Sequence, residues 1–294
     1  QITRKTLAPT RVWFPCVSEQ KRIVAILDEA FAGIDAAIAN TEKNIVNARA
    51  LQDSRMTSIF EELGKRCKTN HMSDICTLQG GSQPPKSAFA SEPRSGYVRL
   101  LQIRDFKSDA NAVYIPESKS NRTCEADDIL IGRYGASVGQ IHTGKAGAYN
   151  VALIKVSPDK AVIYSRFFYY FLLSSSFQVP LSRVSGRSAQ AGFNKGDIAR
   201  LSVPTPALQE QEALADALGE FNDQVVSLSN IFVAKLAALR ELKQSILGKA
   251  FSGEITADSV EKGSDQVATC KRVRGQSEDP QGSGSESRSP IQCG

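Results

Sequence analysis

Two stretches of the chain repeat each other at a constant offset of 191 residues, without an insertion or a deletion. A repeat of this kind constrains the architecture strongly, because both copies must form the same structural unit. One unit therefore precedes a unique middle segment and its copy follows it. The matched positions include Pro15 and Pro206, Glu19 and Glu210, Gln20 and Gln211, Leu27 and Leu218, Ile34 and Val225, Arg49 and Arg240, and Phe60 and Phe251.

Both copies have the pattern of a long helix. Apolar or small residues recur with a mean step of about 3.5 to 3.6, which is typical of an amphipathic stripe. Pro15 and Pro206 precede the two stripes, and neither stripe contains another proline. Ser18 is a suitable N-cap for the first helix. Gly64 and Gly253 are suitable stop signals.

We expect the two helices to cover residues 16–64 and 208–256. Each would be roughly 60–65 Å long at about 1.5 Å per residue. A stripe of that length needs a helical partner of similar length, so we expect the helices to pack on each other as an antiparallel coiled coil. The alternative is two independent coiled-coil strands that serve oligomerisation.

The middle segment, residues 65–207, is basic, with 19 Lys and Arg against 10 Asp and Glu. The formal net charge of the whole chain is only +5, because the segments before and after this one are neutral or acidic. A basic domain suits a polyanion such as nucleic acid. A solvated basic face is the alternative.

The bulk sequence indicates a protein of the cytoplasm. No apolar run approaches the roughly 18–20 residues that span a bilayer, and the first residues lack the pattern of a secretory signal. The six cysteines form no C-x-x-C pair, so we expect free thiols in a reducing compartment.

Short strand-like runs alternate with turn signals in the middle segment, and helices are expected at 165–177 and 194–200. The predicted fold class is α+β: one mixed α/β domain at residues 65–207, flanked by the two long antiparallel helices. The runs predicted as strands are 97–101, 112–115, 128–131, 138–141 and 151–156.

Three patterns suggest cofactor, metal or base-stacking chemistry, and the residues argue against each. Residues 139–146 nearly match a phosphate-binding loop, but Ala146 replaces the hydroxyl that binds Mg²⁺. His71 and Cys76 lack the spacing of a zinc site, so we expect a surface histidine and a buried thiol. The aromatic run 167–171 is either a base-stacking platform or core, and on a helix core is favoured. No metal and no cofactor are predicted.

Three polar loops that contain glycine, at 80–86, 132–137 and 185–195, are better candidates for contact with nucleic acid. Arginine pairs with guanine in the major groove, and Asn or Gln pairs with adenine. Composition alone also suits ordinary surface loops. The predicted DNA-binding residues are Lys86, Arg104, Arg133, Tyr134, Arg187, Gln190 and Lys195.

An ordered set of motifs resembles the specificity subunits of type I restriction-modification systems. Residues 194–211, N-K-G-D-I…P-T-P-A-L-Q-E-Q, are similar to the N-x-x-D-[IL]…P-P-L-x-E-Q junction between a recognition domain and its helix. Residues 15–24 resemble the same junction, with Pro-Cys in place of the double proline. Residues 80–84 resemble G-G-T-P, and residues 128–139 resemble D-I-L…G-A-x-x-G. The resemblance covers about residues 1–256.

The resemblance implies a subunit that recognises one half of a bipartite DNA target and has no catalytic site. In the family, this subunit holds methyltransferase (M) subunits, which use S-adenosylmethionine to methylate adenine, and restriction (R) subunits, which use ATP and Mg²⁺. No cofactor is expected on this chain itself. The predicted subunit contacts lie on outer faces near the helix starts, at Glu19, Gln20, Arg22, Glu210 and Gln211.

The complete family pattern alternates two recognition domains with two helices, whereas this sequence shows one domain. Residues 1–15 resemble the end of an upstream recognition domain or a linker, and residues 257–294 are expected to be a disordered tail. A second copy of the chain is expected to take the place of a second domain, forming a twofold homodimer. The alternative is a segment of a longer subunit.

Two other functions compete with DNA recognition. A stand-alone enzyme would need cofactor or metal residues, which we do not find in the sequence. A coiled-coil scaffold that binds no DNA would not need the excess of positive charge in residues 65–207.

Overall fold

The structure is a computed structural model that describes residues 15–186 and 192–257. Within these ranges two long helices precede and follow a domain of short strands and helices, so the predicted α+β class is confirmed. The chain forms two compact units, one from Ala39 to Ala237 and one that combines residues up to Ile38 with residues from Ala238 onward. The upstream remnant and the tail predicted from the sequence lie outside the described residues, apart from their innermost positions.

The long helices are α1 (Val17–Arg66) and α6 (Leu208–Ser252). The predicted N-cap at Ser18 is wrong, because the helix begins one residue earlier and Ser18 lies in its first turn. The predicted stop at Gly64 is also wrong, since the helix continues to Arg66. The stop at Gly253 is confirmed: its φ of 83° is a left-handed conformation that glycine adopts at low cost.

The helices pair antiparallel, as predicted, and both units contain contacts between them. In the smaller unit, Lys243 Nζ donates to Asp35 Oδ1 at 2.5 Å and lies 4.8 Å from the centroid of the Phe31 ring. In the larger unit, Gln52 Nε2 donates to Asn222 Oδ1 at 2.6 Å. In the same unit Arg66 pairs with Glu210, so later residues of α1 contact earlier residues of α6.

The strands of the domain between the helices are β1 (Thr69–His71), β2 (Cys76–Gly80), β3 (Tyr97–Leu101), β4 (Tyr114–Pro116), β5 (Thr123–Cys124), β6 (Ile129–Gly132), β7 (Ile141–His142), β8 (Gly147–Tyr149), β9 (Leu153–Pro158) and β10 (Ser202–Pro204). Within the described residues they form three sheets. Strands β2, β9, β6 and β7 form an antiparallel sheet in that order. Strands β4, β3, β8 and β5 form a second sheet, in which β3 and β8 are parallel. Strands β1 and β10 pair at the two ends of the domain sequence.

Short helices complete the domain. They are α2 (Met72–Ile75), α3 (Ser165–Leu173), α4 (Ser175–Ser185) and α5 (Lys195–Ala199), with 3-10 turns at Lys86–Ala88, Ile103–Phe106, Glu117–Lys119 and Gly135–Ser137, and a final turn α7 (Glu254–Ala257) after α6.

The aromatic run on α3 lies in the core, as predicted. Phe167, Phe168 and Phe171 are buried in the largest apolar cluster, together with Phe60 from the end of α1. The single helix predicted at 165–177 is wrong, because the chain breaks at Ser174. This residue has an extended ψ of 156°, and its hydroxyl donates to Phe171 O at 2.6 Å.

The strand predictions differ in accuracy. The strand at 97–101 is confirmed at both ends, and those near 128–131 and 151–156 are confirmed with shifted bounds. The strand predicted at 138–141 is wrong, because Gly139 has a φ of 78° and turns the chain before β7 begins. Strands β1, β2, β5, β8 and β10 were not predicted.

Candidate nucleic-acid interface

Three loops of the domain meet around Arg133. Its backbone carbonyl accepts from the N–H of Phe193 at 3.3 Å, and the next residue, Tyr134, forms an antiparallel bridge with Gly192. At the end of β2, a Cβ on Gly80 would lie 3.5 Å from Arg133 Nη1. The structure therefore brings together the three loops that the sequence selected.

Arg133 is held by backbone carbonyls. Its Nε donates to Phe193 O at 3.3 Å, and its Nη1 donates to Val151 O at 3.3 Å. The guanidinium carbon lies 4.9 Å from the centroid of the Tyr134 ring. Tyr134 is 47% exposed. Arginine has five N–H donors and no acceptor. Its bonds to the described residues use two donors, so the others remain for an external acceptor.

Close packing requires two of the loop glycines. A Cβ at Gly81 would lie 2.6 Å from Tyr149 O, and a Cβ at Gly192 would lie 2.9 Å from Cδ1 of Tyr134. A larger residue at Gly81 would collide with the backbone of Tyr149, and one at Gly192 would displace the tyrosine beside Arg133.

A basic cleft of about 480 Å³ shares Gly80 with this loop cluster. It contains Lys195, which the sequence predicted, and also Arg122 and Lys155, which it did not. Lys155 Nζ is paired with Asp128 Oδ2 at 3.1 Å, whereas Arg122 and Lys195 are exposed. The lining residues are Thr77, Leu78, Gln79, Gly80, Arg122, Lys155, Ser157 and Lys195.

Lys195 is positioned by the N-x-x-D motif. The side chain of Asn194 accepts from the N–H of Asp197 at 3.1 Å, and the N–H of Asn194 donates to Asp197 Oδ2 at 2.7 Å. This reciprocal capping box satisfies two N–H groups at the start of α5. Lys195 is therefore the first residue of a capped helix at the cleft.

The other predicted DNA contacts lie elsewhere or outside the described residues. Lys86 is exposed at the start of a 3-10 turn. Arg104 Nη2 donates to Asn111 O at 3.4 Å. Among the described residues, neither makes a hydrogen bond or ion pair with Arg133 or Lys195. Arg187 and Gln190 belong to the part of their loop that the structure does not describe.

Other cations of the domain are neutralised locally. Asp109 accepts from Lys145 and, at 2.5 Å, from Arg99 Nη2. These two partners lower the pKa of the Asp109 carboxyl, the Lys145 bond most strongly. Lys145 Nζ also donates to Asp105 O at 2.6 Å. Arg99 and Lys145 thus connect parts of the domain instead of adding free positive charge.

His71 and Cys76 occupy the environments that the sequence predicted. His71 is exposed, whereas the buried Cys76 thiol donates to Met72 O at 3.0 Å, and burial raises its pKa to about 12. In the described part of the chain, no group of three or more His, Cys, Asp or Glu side chains is placed to hold a metal ion. No helix there is long and apolar enough to cross a membrane.

The helix starts differ in exposure. Glu19 lies 3.8 Å from Arg22, and both side chains are partly exposed. Glu210 forms an ion pair with Arg66 from the end of α1. The expectation that Gln211 lies on an outer face is wrong, because this residue is fully buried against the domain.

Comparisons with known proteins agree with the fold. Residues 65–231, more than half of the chain, match the family model for the type I restriction modification DNA specificity domain. The chain is 24% identical over 292 residues to the type I restriction enzyme EcoBI specificity subunit of Escherichia coli, covering 87% of this chain and 60% of that protein. It is 30% identical over 100 residues to the Escherichia coli EcoDI specificity subunit, covering 34% of this chain and 22% of that protein.

Solved structures show the same fold. A chain of the type I R-M system, from work on its complex assembly and conformational transition, superposes with a TM-score of 0.74 at 21% identity, covering 86% of this chain and 64% of that chain. The HsdS subunit from Thermoanaerobacter tengcongensis gives a TM-score of 0.56 at 21% identity, covering 86% and 63%. This chain thus spans about 60% of the length of the EcoBI subunit. By its family match, the chain belongs to the type I restriction-modification DNA specificity family.

Proposed function

We propose that this chain recognises one half of a bipartite DNA target and holds M and R subunits, without catalysing a reaction itself. One observation carries the proposal: Arg133 is fixed by backbone carbonyls and keeps N–H donors that these bonds do not use. It lies beside an exposed tyrosine and next to the basic cleft. Its relatives are named specificity subunits, and the matched family model covers this domain.

The two parts of the interface suit two kinds of DNA contact. A rigid arginine donates to guanine O6 and N7, which distinguishes one base pair from the others. Exposed cations such as Arg122 and Lys195 suit the phosphate backbone, which positions the protein without reading sequence. We infer that Arg133 contacts a base and that the phosphate backbone of the same DNA strand lies along the basic cleft.

The base-reading role is tested with Arg133→Ala. The target is first mapped by methylation with an added M subunit, and affinity is then measured for that duplex and for duplexes substituted at each position. The variant should lose about 1–3 kcal/mol and relax preference at one position only. Lys119→Ala, at an exposed lysine of another 3-10 turn, is the matched control. Unchanged affinity and preference would remove Arg133 from the interface.

The phosphate-contact role is tested with Lys195→Ala and Arg122→Ala. Each should weaken binding to all duplexes alike and reduce the slope of log K against log salt by about 1. Lys119→Ala should leave the slope unchanged. If the native chain binds no duplex at all, with or without an M subunit, the scaffold function replaces DNA recognition.

We propose that the exposed charges at the helix starts contact the M subunits. Glu19→Lys should reduce co-purification with an M subunit while the fold is retained. Glu210→Lys also breaks the pair with Arg66, so the double variant with Arg66→Glu restores that pair and isolates the surface effect. Normal co-purification of all three variants would exclude this surface.

A further inference from the structure

Four strands of the domain end at one edge, next to the turn formed by residues 150–152. Strands β2 and β6 flank β9, and both end beside the first residues of β9. Strands β3 and β8 are parallel and end together, with Leu101 beside Tyr149. The turn connects β8 to β9, and its Asn150 N–H donates to Leu101 O at 3.1 Å. The loops that follow β2, β3 and β6 therefore leave the domain at the same edge.

This edge carries two arginines in separate loops. Arg133 lies in the loop after β6, and its Nη1 donates to Val151 O of the turn at 3.3 Å. Arg104 lies in the loop after β3, the strand whose last residue binds Asn150. The two arginines make no bond to each other, but the same turn supports both of their loops.

The 3-10 turn that contains Arg104 is anchored on the domain. Phe106 packs against buried apolar residues that include the last residues of β3 and β8. Lys145 Nζ donates to Asp105 O at 2.6 Å, and the N–H of Gln102 donates to Asp105 Oδ2 at 2.7 Å. The Asp105 side chain is fully buried, whereas that of Arg104 is 56% exposed. A fixed backbone thus directs Arg104 away from the domain.

One oxygen of the buried Asp105 carboxylate is unsatisfied. Its Oδ1 accepts no hydrogen bond from the described residues, and neither does the buried Gln102 Nε2 donate one to them. Arg104 Nε lies 4.0 Å from this Oδ1, within ion-pair distance but too far for a hydrogen bond. Arg104 Nη2 lies 3.4 Å from Asn111 O. A buried acceptor without a partner is unfavourable, so a small rotation of Arg104 onto Asp105 would be stabilising.

We propose that Arg104 recognises a second base pair of the half-site and that Asp105 positions it. This inference rests on the DNA recognition proposed above. When DNA binds, Arg104 Nε donates to Asp105 Oδ1, and the two Nη groups donate to O6 and N7 of a guanine in the major groove. Arg104 is the residue that contacts the base, and Asp105 is a positioning residue.

The carboxylate favours a base over a phosphate as the ligand of Arg104. A negative charge beside the guanidinium weakens its attraction to a phosphate, which binds mainly through charge. The same carboxylate fixes the plane of the guanidinium, and a guanine is recognised through the direction of two N–H groups. The pair of Arg104 with Asp105 therefore suits the uncharged edge of a base.

The role of Arg104 is tested on the full chain with an M subunit, on the mapped target and on duplexes substituted at each position. Arg104→Ala and Arg104→Lys should each lower affinity for the target by about 5- to 150-fold and relax preference at one base pair. This pair should differ from the one affected by Arg133→Ala. Arg104→Lys keeps the charge but lacks the planar fork of N–H groups.

Arg94→Ala is the matched control, because Arg94 is an exposed arginine just before β3 begins, at the other end of that strand. It should keep the preference at every position. Full preference in both Arg104 variants, with preference lost at one pair in Arg133→Ala, would overturn this inference and leave the proposed function standing. Equal weakening of all duplexes by Arg104→Ala would identify a phosphate contact and would also overturn it.

The role of Asp105 is tested with Asp105→Asn, which keeps an oxygen for the Gln102 N–H and removes the charge beside Arg104. It should reduce preference at the base pair that Arg104 recognises by roughly 3- to 10-fold. In the Arg104→Ala background it should cause no further loss of preference. A merely structural role would instead weaken binding to all duplexes in both backgrounds.

The native chain gives a readout that needs no substitution at Asp105. The proton of the Arg104 Nε–H group, whose NMR signal is identified by its loss in Arg104→Lys, gains a hydrogen bond in the complex. Its resonance should therefore move downfield when the target duplex is added. An unmoved resonance in the bound chain would overturn the positioning role of Asp105.

Discussion

Phe60 and Phe251 occupy equivalent positions in the two copies of the repeat, but Phe60 is 1% exposed and Phe251 is 75% exposed. Gln211 and Gln20 differ in the same way: both bond to the carbonyl of the preceding proline, and only Gln211 also bonds to the domain. The residue types and the helical geometry are shared. The presence or absence of a packed α3 separates the two environments.

This difference shows that a sequence repeat determines local structure, but it does not determine how much a residue contributes to the free energy of unfolding. A buried aromatic ring stabilises the fold through the area it removes from water and through its ring contacts. An exposed ring contributes neither. Equivalent substitutions in the two copies should therefore have unequal effects on stability.

The largest difference is expected for the phenylalanines. Phe60→Ala should lower the free energy of unfolding by about 3–5 kcal/mol, because it leaves a cavity between Phe167 and Phe171. Phe251→Ala should change it by no more than about 0.5 kcal/mol. Urea unfolding at low protein concentration measures both changes. The slope of the free energy of unfolding against urea concentration is compared between each variant and the native chain. Equal losses would mean that Phe251 is covered in the isolated chain.

The glutamines should give a smaller difference. Gln211→Ala leaves the Tyr164 N–H and the Val162 carbonyl without their partner, at a cost of about 1–3 kcal/mol. Gln20→Ala should cost no more than about 0.5 kcal/mol at its exposed position. Gln211→Glu keeps the acceptor and loses the donor, so it should destabilise in the same direction. A harmless Gln211→Ala would contradict the role of this amide in holding α3.

The ion pair of Asp216 should give the smallest effect, and the first copy has no counterpart to it, because Ala25 stands at the position equivalent to Asp216. Asp216→Asn removes an ion pair with Arg166 whose side chains are 65% and 45% exposed. Such pairs contribute about 0.2–1 kcal/mol, and the loss should shrink at high salt. Asp28→Asn, at an exposed aspartate of α1, is the control and should have no measurable effect. A larger loss at Asp28 than at Asp216 would reverse the comparison.

Local patterns predicted the elements that depend on neighbouring residues. The apolar stripe located α1 to within two residues of its observed end at Arg66, because a helix buries residues that recur at its own period. The same reasoning failed at Ser174, where one buried hydroxyl ends α3 without a glycine or proline. It also missed β1, which pairs with β10 across a separation of more than 130 residues.

For the candidate interface, glycine and polar composition selected the three loops and Arg133, Tyr134 and Lys195. They did not find Arg122 or Lys155. Lys155 lies among the buried residues of β9, and Arg122 precedes a two-residue strand. Neither position has a local signal, because Lys155 reaches the cleft only when β9 pairs with β2, and Arg122 only when β5 pairs with β8.

Periodicity, charge and motif order were enough to establish the two helices, the basic domain between them and the family. These properties arise from residues close in sequence or from composition. Tertiary structure alone decided which glutamine is buried, which phenylalanine is covered and which cations share a cleft. Those outcomes depend on contacts between residues far apart in the chain, and a helix carries the same pattern whether or not a domain packs on its end.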